Sequence, residues 1–483
     1  MNQLILKKYT ILSFGCQMNY ADAERFSSII EETGYTSTEN VENTDLIILN
    51  TCSIRQKAED RILGLTRNMN KLRQKNPNLK IILTGCMARR SWLDGTLASK
   101  SPLQTNQSER ENNLKKEMPW VDFVVESKDF LKIPVILGYK SNHDVTDYLS
   151  FPKTTRNKFQ AWIPISTGCD HFCSYCIVPF ARGHEISRDA QNIITDTKKA
   201  VKNGFKDITL LGQTVNRWVN PKFDEEFKKG RIGNIEIPNL NKTTLSTKVI
   251  NSTDSTTEPK DFLQLLQILY NIEGDNWLSF MSSHPNYLTT ELIEFMAKSK
   301  HIKPYIHFAM QSGSDTVLKR MNRRYTVAEF ISKTQKLKSL IPNLGLSTDI
   351  IVGYPGETES EFMETANVMK TLEFDMAYIS EYSKRVGTAS ALVKDDIPMK
   401  EKTRRKKFLN DEILAKSASI FNQKMLNTIQ KVLVEKNHKS YYLARTNNNK
   451  EVQINTNKVL DLGEFAVVKI ISCTPWALTG KLL

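Results

Sequence analysis

Three cysteines stand close together as Cys169, Cys173 and Cys176, in a C-x3-C-x2-C loop that directly follows an apolar run. A [4Fe–4S] cluster takes one ligand per iron and favours cysteine thiolates. Three thiolates in one short loop can therefore bind three irons and leave the fourth open. An open iron can chelate a small molecule and pass it one electron, whereas a structural cluster normally fills all four positions. The spacing predicts a cluster that takes part in chemistry.

Zinc is the main alternative occupant of this loop, because His171 or His184 could complete a set of ligands with the three cysteines. His171 lies inside the loop, where reaching the same ion would be cramped. Structural zinc sites also usually pair two knuckles rather than concentrate their ligands in one. A redox dithiol of Cys173 and Cys176 would leave Cys169 without a role. The iron–sulfur interpretation is favoured over both.

Three further cysteines, Cys16, Cys52 and Cys86, each end an apolar, strand-like run. Between these runs lie amphipathic stretches, about 21–32 and 55–75, that predict helices. Strands that alternate with helices of this length predict a parallel sheet with right-handed crossovers. Because the carboxyl ends of such strands lie along one edge, where ligands bind, we expect the three thiols to converge on one site. Buried structural cysteines would more often lie in mid-strand.

A second α/β series begins near Phe151, after a link rich in Pro, Thr and Lys. Its strand-like runs are 161–167, 207–211, 277–282, 305–310, 346–352 and 375–380. Helical stretches at 262–270, 289–297 and 326–340 separate most of these runs. Repeated βα units in one domain predict a partial or full βα barrel, whose chemistry lies at the carboxyl face of its strands. Polar residues follow the runs at that face: Cys169, Gln213 with Asn216, Ser283 with His284, and Gln311.

Two polar segments, about 99–116 and 223–257, interrupt these series and are interpreted as surface insertions. After a charged helical stretch at 400–422, short β runs with Asn-rich turns begin near residue 427 and predict a small β-barrel. The predicted fold class is therefore α/β, with an N-terminal parallel sheet, a central (βα)-type partial barrel and a small C-terminal β-barrel. The predicted domain limits are 1–150, 151–400 and 418–483.

The charge balance favours a polyanionic partner, nucleic acid first, since 67 Lys and Arg against 53 Asp and Glu give a net charge of +14. Seven cysteines, an odd number, without an export signal argue against a disulfide framework. The longest apolar runs are strand-sized, which predicts no membrane span, and the first residues lack a secretory cleavage site. A cytoplasmic protein is expected. Cys473 lies in an apolar run of the tail and is interpreted as barrel core.

The loop Cys169–Cys176, with the aromatic Tyr175 before its last cysteine, resembles the signature of the radical S-adenosylmethionine (SAM) superfamily. The resemblance implies that SAM binds the open iron through its amino and carboxylate groups. Reduction would then split SAM into methionine and a 5′-deoxyadenosyl radical, which abstracts a hydrogen atom from the substrate. By the same resemblance, the backbone of Tyr175 would contact the adenine. Gln213, Ser283 and Gln311 are candidates for this cofactor pocket, or are polar residues satisfied beside the sheet.

The motifs around the cysteines resemble one family within that superfamily, the methylthiotransferases, over nearly the whole chain and in the family's order. In the N-terminal part these motifs are GCQMN (Gly15–Asn19), NTCSIR (Asn50–Arg55) and GCMA (Gly85–Ala88). In the central part they are YCIVP (Tyr175–Pro179), RGHEISR (Arg182–Arg188), LLGQ (Leu210–Gln213), QSGSD (Gln311–Asp315) and DIIVGYPGE (Asp349–Glu357). In the tail, ART (Ala444–Thr446) and Lys450 resemble the TRAM domain, a small RNA-binding barrel.

The residues after Cys16 and Cys52 resemble the MiaB-type branch of that family. This branch adds a methylthio group to C2 of N6-isopentenyladenosine at position 37, beside the tRNA anticodon. The resemblance implies two [4Fe–4S] clusters, with an auxiliary cluster on Cys16, Cys52 and Cys86 that carries the sulfur, and two SAM molecules per product. It also implies the anticodon stem-loop of tRNA as substrate, an electron donor such as flavodoxin or ferredoxin, sulfur and cluster-assembly proteins as partners, and a monomeric enzyme. The alternatives are a threonylcarbamoyladenosine of tRNA or a ribosomal protein as acceptor, or a non-catalytic zinc-holding RNA-binding protein.

Some positions depart from the family's pattern. His307–Met310 stands where relatives usually have a proline and a smaller aliphatic residue, and Ser383–Gly387 lacks the usual prolines. The tail lacks its usual glycine before Arg445. These departures concern loops and RNA contacts, and they leave all six cluster cysteines in place.

Overall fold

A computed structural model describes residues 7–52, 56–89, 118–140, 159–223 and 258–483, together with Lys116 and Leu149. The two polar segments predicted at 99–116 and 223–257 lie almost wholly outside the described residues, as does the link near Phe151. Ser53 to Arg55 of the second cysteine motif lie outside them too. No helix within the described ranges has both the length and the apolar composition needed to cross a bilayer.

The N-terminal part is a five-stranded, wholly parallel sheet in the order β2-β1-β3-β4-β5. Its strands are β1 (Lys8–Phe14), β2 (Thr36–Ser37), β3 (Leu46–Thr51), β4 (Lys80–Gly85) and β5 (Phe123–Val124). The central strand β3 is buried along its whole length, as its run of apolar residues predicts for a sheet covered on both faces. Ile48 packs with Phe26 and Ile29 on one face, and Ile47 packs with Ile62 on the other.

The helices of this part are α1 (Gln17–Glu31), α2 (Gln56–Leu63), α3 (Thr66–Lys75) and α4 (Ile133–Ile136). The single helix predicted over 55–75 is wrong, because the chain forms two helices that meet at Gly64. Glycine is the poorest helix former after proline, and the next amide, Leu65 N, donates to Ile62 O in a tighter turn.

In the central part, the described residues form six parallel strands in two sheets, β6-β9-β10 and β11-β12-β13. They are β6 (Gln160–Pro164), β9 (Asp207–Leu211), β10 (Trp277–Phe280), β11 (Tyr305–His307), β12 (Gly345–Val352) and β13 (Met376–Glu381). Isolated parallel bridges, Leu278 to Ile302 and Ser283 to Phe308, connect the two sheets. The predicted strand 161–167 is split, because Ser166–Thr167 (β7) leaves the sheet and pairs antiparallel with Ile186–Ser187 (β8).

Helices cover one face of these sheets and form the largest apolar core. They are α6 (Ala190–Lys202), α7 (Phe262–Tyr270), α8 (Thr290–Lys298), α9 (Asp315–Arg320), α10 (Val327–Leu340) and α11 (Glu359–Leu372), whereas the short helix α5 (Val178–Arg182) packs against Cys86 instead. Ile306 and Phe308 point into this core, and the ring of Phe308 stacks on Phe330 of α10 at 4.4 Å. Residues at alternate positions, such as His307, therefore lie on the opposite, inner face.

The C-terminal part is a closed five-stranded barrel, as predicted, in the order β14-β15-β16-β18-β17. Its strands are β14 (Ile429–His438), β15 (Tyr441–Thr446), β16 (Glu451–Ile454), β17 (Phe465–Cys473) and β18 (Leu478–Leu482). Helices α12 (Met399–Phe408) and α13 (Ala415–Gln423), joined by a π-helical turn, lead into it. Cys473, interpreted as core, is only partly buried and packs against the edge of the barrel core.

Two residues of the tail motif form ion pairs, one with the central part and one within the barrel. Lys450 is buried and pairs with Asp375 of the central part at 2.7 Å, and Arg445 pairs with Glu435 at 2.8 Å. The expected fold class is observed, whereas the limits between the three domains remain a prediction.

Candidate active site

The cysteines of the N-terminal part follow three neighbouring strands. Cys52 and Cys86 come directly after β3 and β4, and Cys16 comes two residues after β1. The parallel registers place Phe14 opposite Thr51, and Thr51 opposite Gly85. The three thiols therefore meet at one edge of the sheet, where the Cys52 thiol is hydrogen-bonded with both Cys16 and Cys86. The structure brings together the residues that the strand ends predicted to converge.

Two glycines allow this close approach. A Cβ on Gly85 would collide with the backbone of Thr51, and Gly85 has a positive φ of 87°. A Cβ on Gly15 would overlap the Cys52 side chain and the amide of Asn19. The cysteine loops can therefore pack against one another only because glycine precedes Cys16 and Cys86.

A pair of buried asparagines connects the loops of Cys16 and Cys52. Asn19 Oδ1 accepts from the backbone N–H of Cys16 at 3.3 Å and from its thiol at 3.4 Å. Asn19 Nδ2 donates to Asn50 Oδ1 at 2.9 Å and to the carbonyl of Thr51 at 3.2 Å. Both asparagines belong to the quoted cysteine motifs, but sequence reasoning assigned them no role.

Arg182 joins this site from the central part of the chain. Its Nε donates to Cys86 Sγ at 3.3 Å, and its NH2 group pairs with Asp22 at 2.8 Å. The hydrogen bond from Cys52 lowers the pKa of Cys16 to about 7 and that of Cys86 to about 6, and the charge of Arg182 acts in the same direction. Donating those bonds raises the pKa of Cys52. Cys16 and Cys86 thus favour the thiolate, the form that binds metal, whereas Cys52 holds the proton that it donates to them.

The second group, Cys169, Cys173 and Cys176, lies in one loop that begins at Gly168. This glycine has a φ of 76°, and a Cβ there would overlap the backbone of His184. Backbone hydrogen bonds fix the loop. Cys169 N donates to Gly183 O, beyond α5, at 3.1 Å, and within the loop Cys176 N donates to Cys173 O at 2.9 Å.

Neighbouring elements also hold the loop. Ser174 N donates to Met321 O at 3.0 Å, and the Asn322 side chain donates to the carbonyl of Phe172 at 2.9 Å. Phe172 has a positive φ of 47°, a strained conformation that the Asn322 contact stabilises.

The thiols of this loop have different partners from those at the strand ends. Arg323 donates to Cys173 Sγ at 3.4 Å, and Thr214 Oγ1 lies 3.8 Å from Cys169 Sγ. Burial raises the pKa of Cys169 to about 11 and raises that of Cys176 further. Arg323 lies outside every quoted motif, so the sequence offered no signal for it.

The two histidines considered as zinc ligands have other neighbours. His171 stacks on His284 with ring centroids 4.2 Å apart, and burial lowers its pKa to about 3. His184 is exposed and its Nδ1 lies 2.8 Å from Asp170. Within the described ranges, no three His, Cys, Asp or Glu side chains are grouped so as to hold a metal ion. Both imidazole rings are thus engaged with groups other than the loop thiols.

Three of the four residues predicted near SAM lie beyond the carboxyl ends of neighbouring strands, and the fourth, Tyr175, lies in the cysteine loop. Gln213 follows β9, Ser283 follows β10, and Gln311 follows β11 with a φ of 71°. The Ser283 hydroxyl is buried and has no hydrogen-bond partner among the described residues, which marks it as available to a ligand. Tyr175 packs against Tyr354, and burial raises its pKa. Their role as cofactor ligands remains a prediction.

The inner face also carries a polar chain that sequence reasoning missed. His307 contacts Ser347 Oγ through Nδ1 at 2.9 Å and Asp349 Oδ2 through Nε2 at 3.0 Å. Tyr305 OH lies 2.7 Å from the same Ser347 hydroxyl. In the sequence, His307 is only a departure from the pattern of relatives. Its partners lie some 40 positions away, so these hydrogen bonds become visible only in the folded structure.

Three family profiles match the chain. The profile described as "Uncharacterized protein family UPF0004" matches residues 8–103, the Radical SAM superfamily matches residues 163–369, and the TRAM domain matches residues 423–483. The first profile contains the strand-end cysteines, and the second contains the cysteine loop.

Relatives of known name match over almost the full length. The chain is 36% identical over 492 residues to the tRNA-2-methylthio-N(6)-dimethylallyladenosine synthase of Clostridium botulinum strain Langeland, covering 98% of this chain and 96% of that protein. It is 34% identical to the protein of the same name from Dictyoglomus thermophilum, covering 99% of each. Among solved structures, the radical S-adenosylmethionine methyltransferase TsrM from Kitasatospora setae matches with a TM-score of 0.50 at 9% identity, over 80% of this chain and 74% of that one. That last likeness concerns the fold alone.

Proposed function

Since the chain belongs to the tRNA-2-methylthio-N(6)-dimethylallyladenosine synthase family of radical SAM enzymes, we propose that it adds a methylthio group to C2 of N6-isopentenyladenosine at position 37 of tRNA. The TRAM profile and the net charge of +14 agree with a tRNA substrate. The observation that carries the proposal is the presence of two separate three-cysteine sites, one at three strand ends and one in a single loop.

The donor sets fit the two [4Fe–4S] clusters that the family implies. Each set offers three thiols, so each cluster would keep one iron without a protein ligand. Cys16, Cys52 and Cys86 would hold the auxiliary cluster, and Cys169, Cys173 and Cys176 would hold the radical cluster. The lowered pKa values of Cys16 and Cys86 favour the thiolates that ligation requires.

When bound, the clusters and two SAM molecules supply the methyl group, the sulfur and the one-electron chemistry that removes hydrogen from adenine C2. The chain's own residues bind and orient these groups. Arg182 and Arg323 each donate to one ligating sulfur, which disperses its negative charge. The buried Ser283 hydroxyl is available to a polar atom of SAM.

The remaining parts of the proposal concern partners. A reduced flavodoxin or ferredoxin supplies the electrons, and sulfur and cluster-assembly proteins restore the auxiliary site. A threonylcarbamoyladenosine of tRNA or a ribosomal protein side chain is the alternative acceptor, and the names of the relatives favour the isopentenyl acceptor over it.

Iron and acid-labile sulfide per chain test the proposal, after anaerobic reconstitution of the wild type and of Cys16→Ala/Cys52→Ala/Cys86→Ala. We expect about eight irons in the wild type and about four in the triple variant. The variant should still cleave SAM but form no methylthio product. About four irons in both proteins would contradict the two-cluster proposal.

Nucleoside analysis identifies the acceptor. We expect tRNA from a deletion strain to lack 2-methylthio-N6-isopentenyladenosine. The wild-type gene should restore this nucleoside. Loss of the methylthio form of threonylcarbamoyladenosine, or of a modified ribosomal protein, would assign the alternative acceptor instead.

A further inference from the structure

The short helix α5 is attached to the radical loop at both ends. It begins two residues after Cys176, and the residue after it, Gly183, accepts a hydrogen bond from Cys169 N at 3.1 Å. Gly183 has a φ of 83°, which lets the chain turn back towards Cys169. A movement of α5 would therefore move the radical loop with it.

The other side of α5 packs against the strand-end cysteines. Ile177 and Ala181 form a buried apolar cluster with Cys86, and Phe180 packs on its edge. The same helix therefore borders both cysteine sites.

The side chain of Arg182, the last residue of α5, makes the polar part of this contact. It is 3% exposed, and it pairs with Asp22, which is fully buried. Asp22 lies on α1, the helix that starts directly after Cys16. A second bond from the same guanidinium reaches Cys86 Sγ at 3.3 Å. Arg182 thus contacts Cys86 and the helix of Cys16, while its backbone belongs to α5, which is attached to the radical loop.

We propose that Arg182 is a positioning residue that fixes the strand-end site relative to the radical loop and tunes the cluster held there through its hydrogen bond to Cys86. The expected effect on methylthio transfer rests on the proposed function, whereas the expected effect on the reduction potential does not require that activity. Hydrogen bonds and positive charge at a ligating sulfur stabilise the reduced, more negative state of a cluster, so they raise its reduction potential. Contacts of this kind typically change activity about 10- to 100-fold when they are removed.

The competing explanation is that Arg182 and Asp22 form a buried ion pair that only holds two domains together. The two explanations differ in what happens when the charge is removed but the buried volume is kept. Three variants separate them: Arg182→Gln, Arg182→Lys, and the apolar double variant Arg182→Met/Asp22→Leu.

The first measurement is a redox titration of the reconstituted full chain, followed by electron paramagnetic resonance. The background is Cys169→Ala/Cys173→Ala/Cys176→Ala, so that only the strand-end cluster contributes. We expect Arg182→Gln to shift the potential to more negative values, and Arg182→Lys to give a smaller shift. In the double variant the lost charge of Asp22 opposes the lost charge of Arg182, so we expect its potential to lie between those of Arg182→Gln and the wild type. An unchanged potential in Arg182→Gln would overturn the proposal.

The second measurement is activity with the radical loop intact. We expect Arg182→Gln to lower methylthio transfer about 10- to 100-fold, while SAM cleavage stays within about twofold of the wild type. Arg182→Lys should recover part of the transfer. Wild-type transfer in the folded double variant would show that the pair only packs the domains, and would also overturn the proposal.

Arg385→Gln is the matched control, since Arg385 pairs at 3.3 Å with Glu59, another fully buried carboxylate of the N-terminal part, rather than with a thiol. It should lower the melting temperature without shifting the potential. A wild type that forms no methylthio product would contradict the proposed function, whereas the redox titration would still test Arg182.

Discussion

The two cysteine sites hold the same number of thiols but are built in opposite ways. Cys169, Cys173 and Cys176 come from one loop, whose backbone is hydrogen-bonded to the residue after α5 and to Met321 and Asn322. Cys16, Cys52 and Cys86 come from three strand ends, and they are held by parallel register, two glycines and an asparagine pair.

The difference extends to the chemical state of the thiols. At the strand ends, Cys52 donates to its neighbours and lowers the pKa of Cys16 and Cys86. In the loop, burial raises the pKa of Cys169 and Cys176, and the charge of Cys173 adds to this effect for both. Side-chain contacts therefore lower the pKa of two strand-end thiols, whereas burial raises the pKa of two loop thiols.

Removing the loop thiols should give the largest effect. In Cys169→Ala/Cys173→Ala/Cys176→Ala we expect about four of about eight irons to remain, with no SAM cleavage and no methylthio transfer. Iron analysis and detection of 5′-deoxyadenosine measure this. Cys473→Ala, at the edge of the C-terminal barrel, is the control and should keep full iron and activity. Persistent SAM cleavage in the triple variant would show that the loop is not the radical site.

Substituting Gly85 tests whether the strand-end site depends on close approach. Gly85→Ala adds a Cβ against the backbone of Thr51 at a positive φ, so we expect a loss of about 3 kcal/mol in stability and of the strand-end irons. Gly204→Ala is matched, because Gly204 has a φ of 79° and no atom within 4 Å of the added Cβ. It should cost only about 1–2 kcal/mol and no iron. Thermal melting and iron content measure both variants. Equal losses in Gly85→Ala and Gly204→Ala would refute the steric argument.

Thiol alkylation of the iron-free protein compares the two sites directly. Cys16, with a pKa of about 7, is largely thiolate at pH 8, whereas Cys169, with a pKa of about 11, is largely protonated. Both are partly exposed. Because the thiolate is the reactive form, Cys16 should react with iodoacetamide at least about tenfold faster at pH 8. Its rate should rise through pH 7, and that of Cys169 only towards pH 11. Equal rates in peptide mass spectrometry would contradict the proposed difference.

Removing a single polar contact should lower the stability least, and the loss should be larger at the strand-end site than at the loop. Asn19→Ala removes a buried amide that joins two cysteine loops, with an expected loss of about 1–3 kcal/mol. Thr214→Val removes a 3.8 Å contact to Cys169, with an expected loss below about 0.5 kcal/mol. Denaturation midpoints measure both. A larger loss for Thr214→Val would show that the loop also depends on side-chain contacts.

Much of the fold followed from local patterns. The strands before Cys52 and Cys86 have the continuous apolar runs and β-branched residues of buried parallel strands, and the observed strands match them. The prediction was wrong where a local conformation overrode the pattern, as at Gly64, which divides one expected helix into two. It was incomplete at Lys450, a residue of the tail motif whose ion pair with Asp375 of the central part no local pattern indicated.

The sequence by itself determined the two cysteine groups, the order of the strands and helices, and the family, since each depends on residues close together in the chain. Only the tertiary structure decided that Arg182 reaches Cys86, that Arg323 reaches Cys173, and that His307 pairs with Asp349. Those partners are separated by long stretches of chain, and nothing in local spacing or hydrophobic periodicity encodes which long side chains meet. Their geometry is set by how sheets and helices pack, and packing depends on the whole chain.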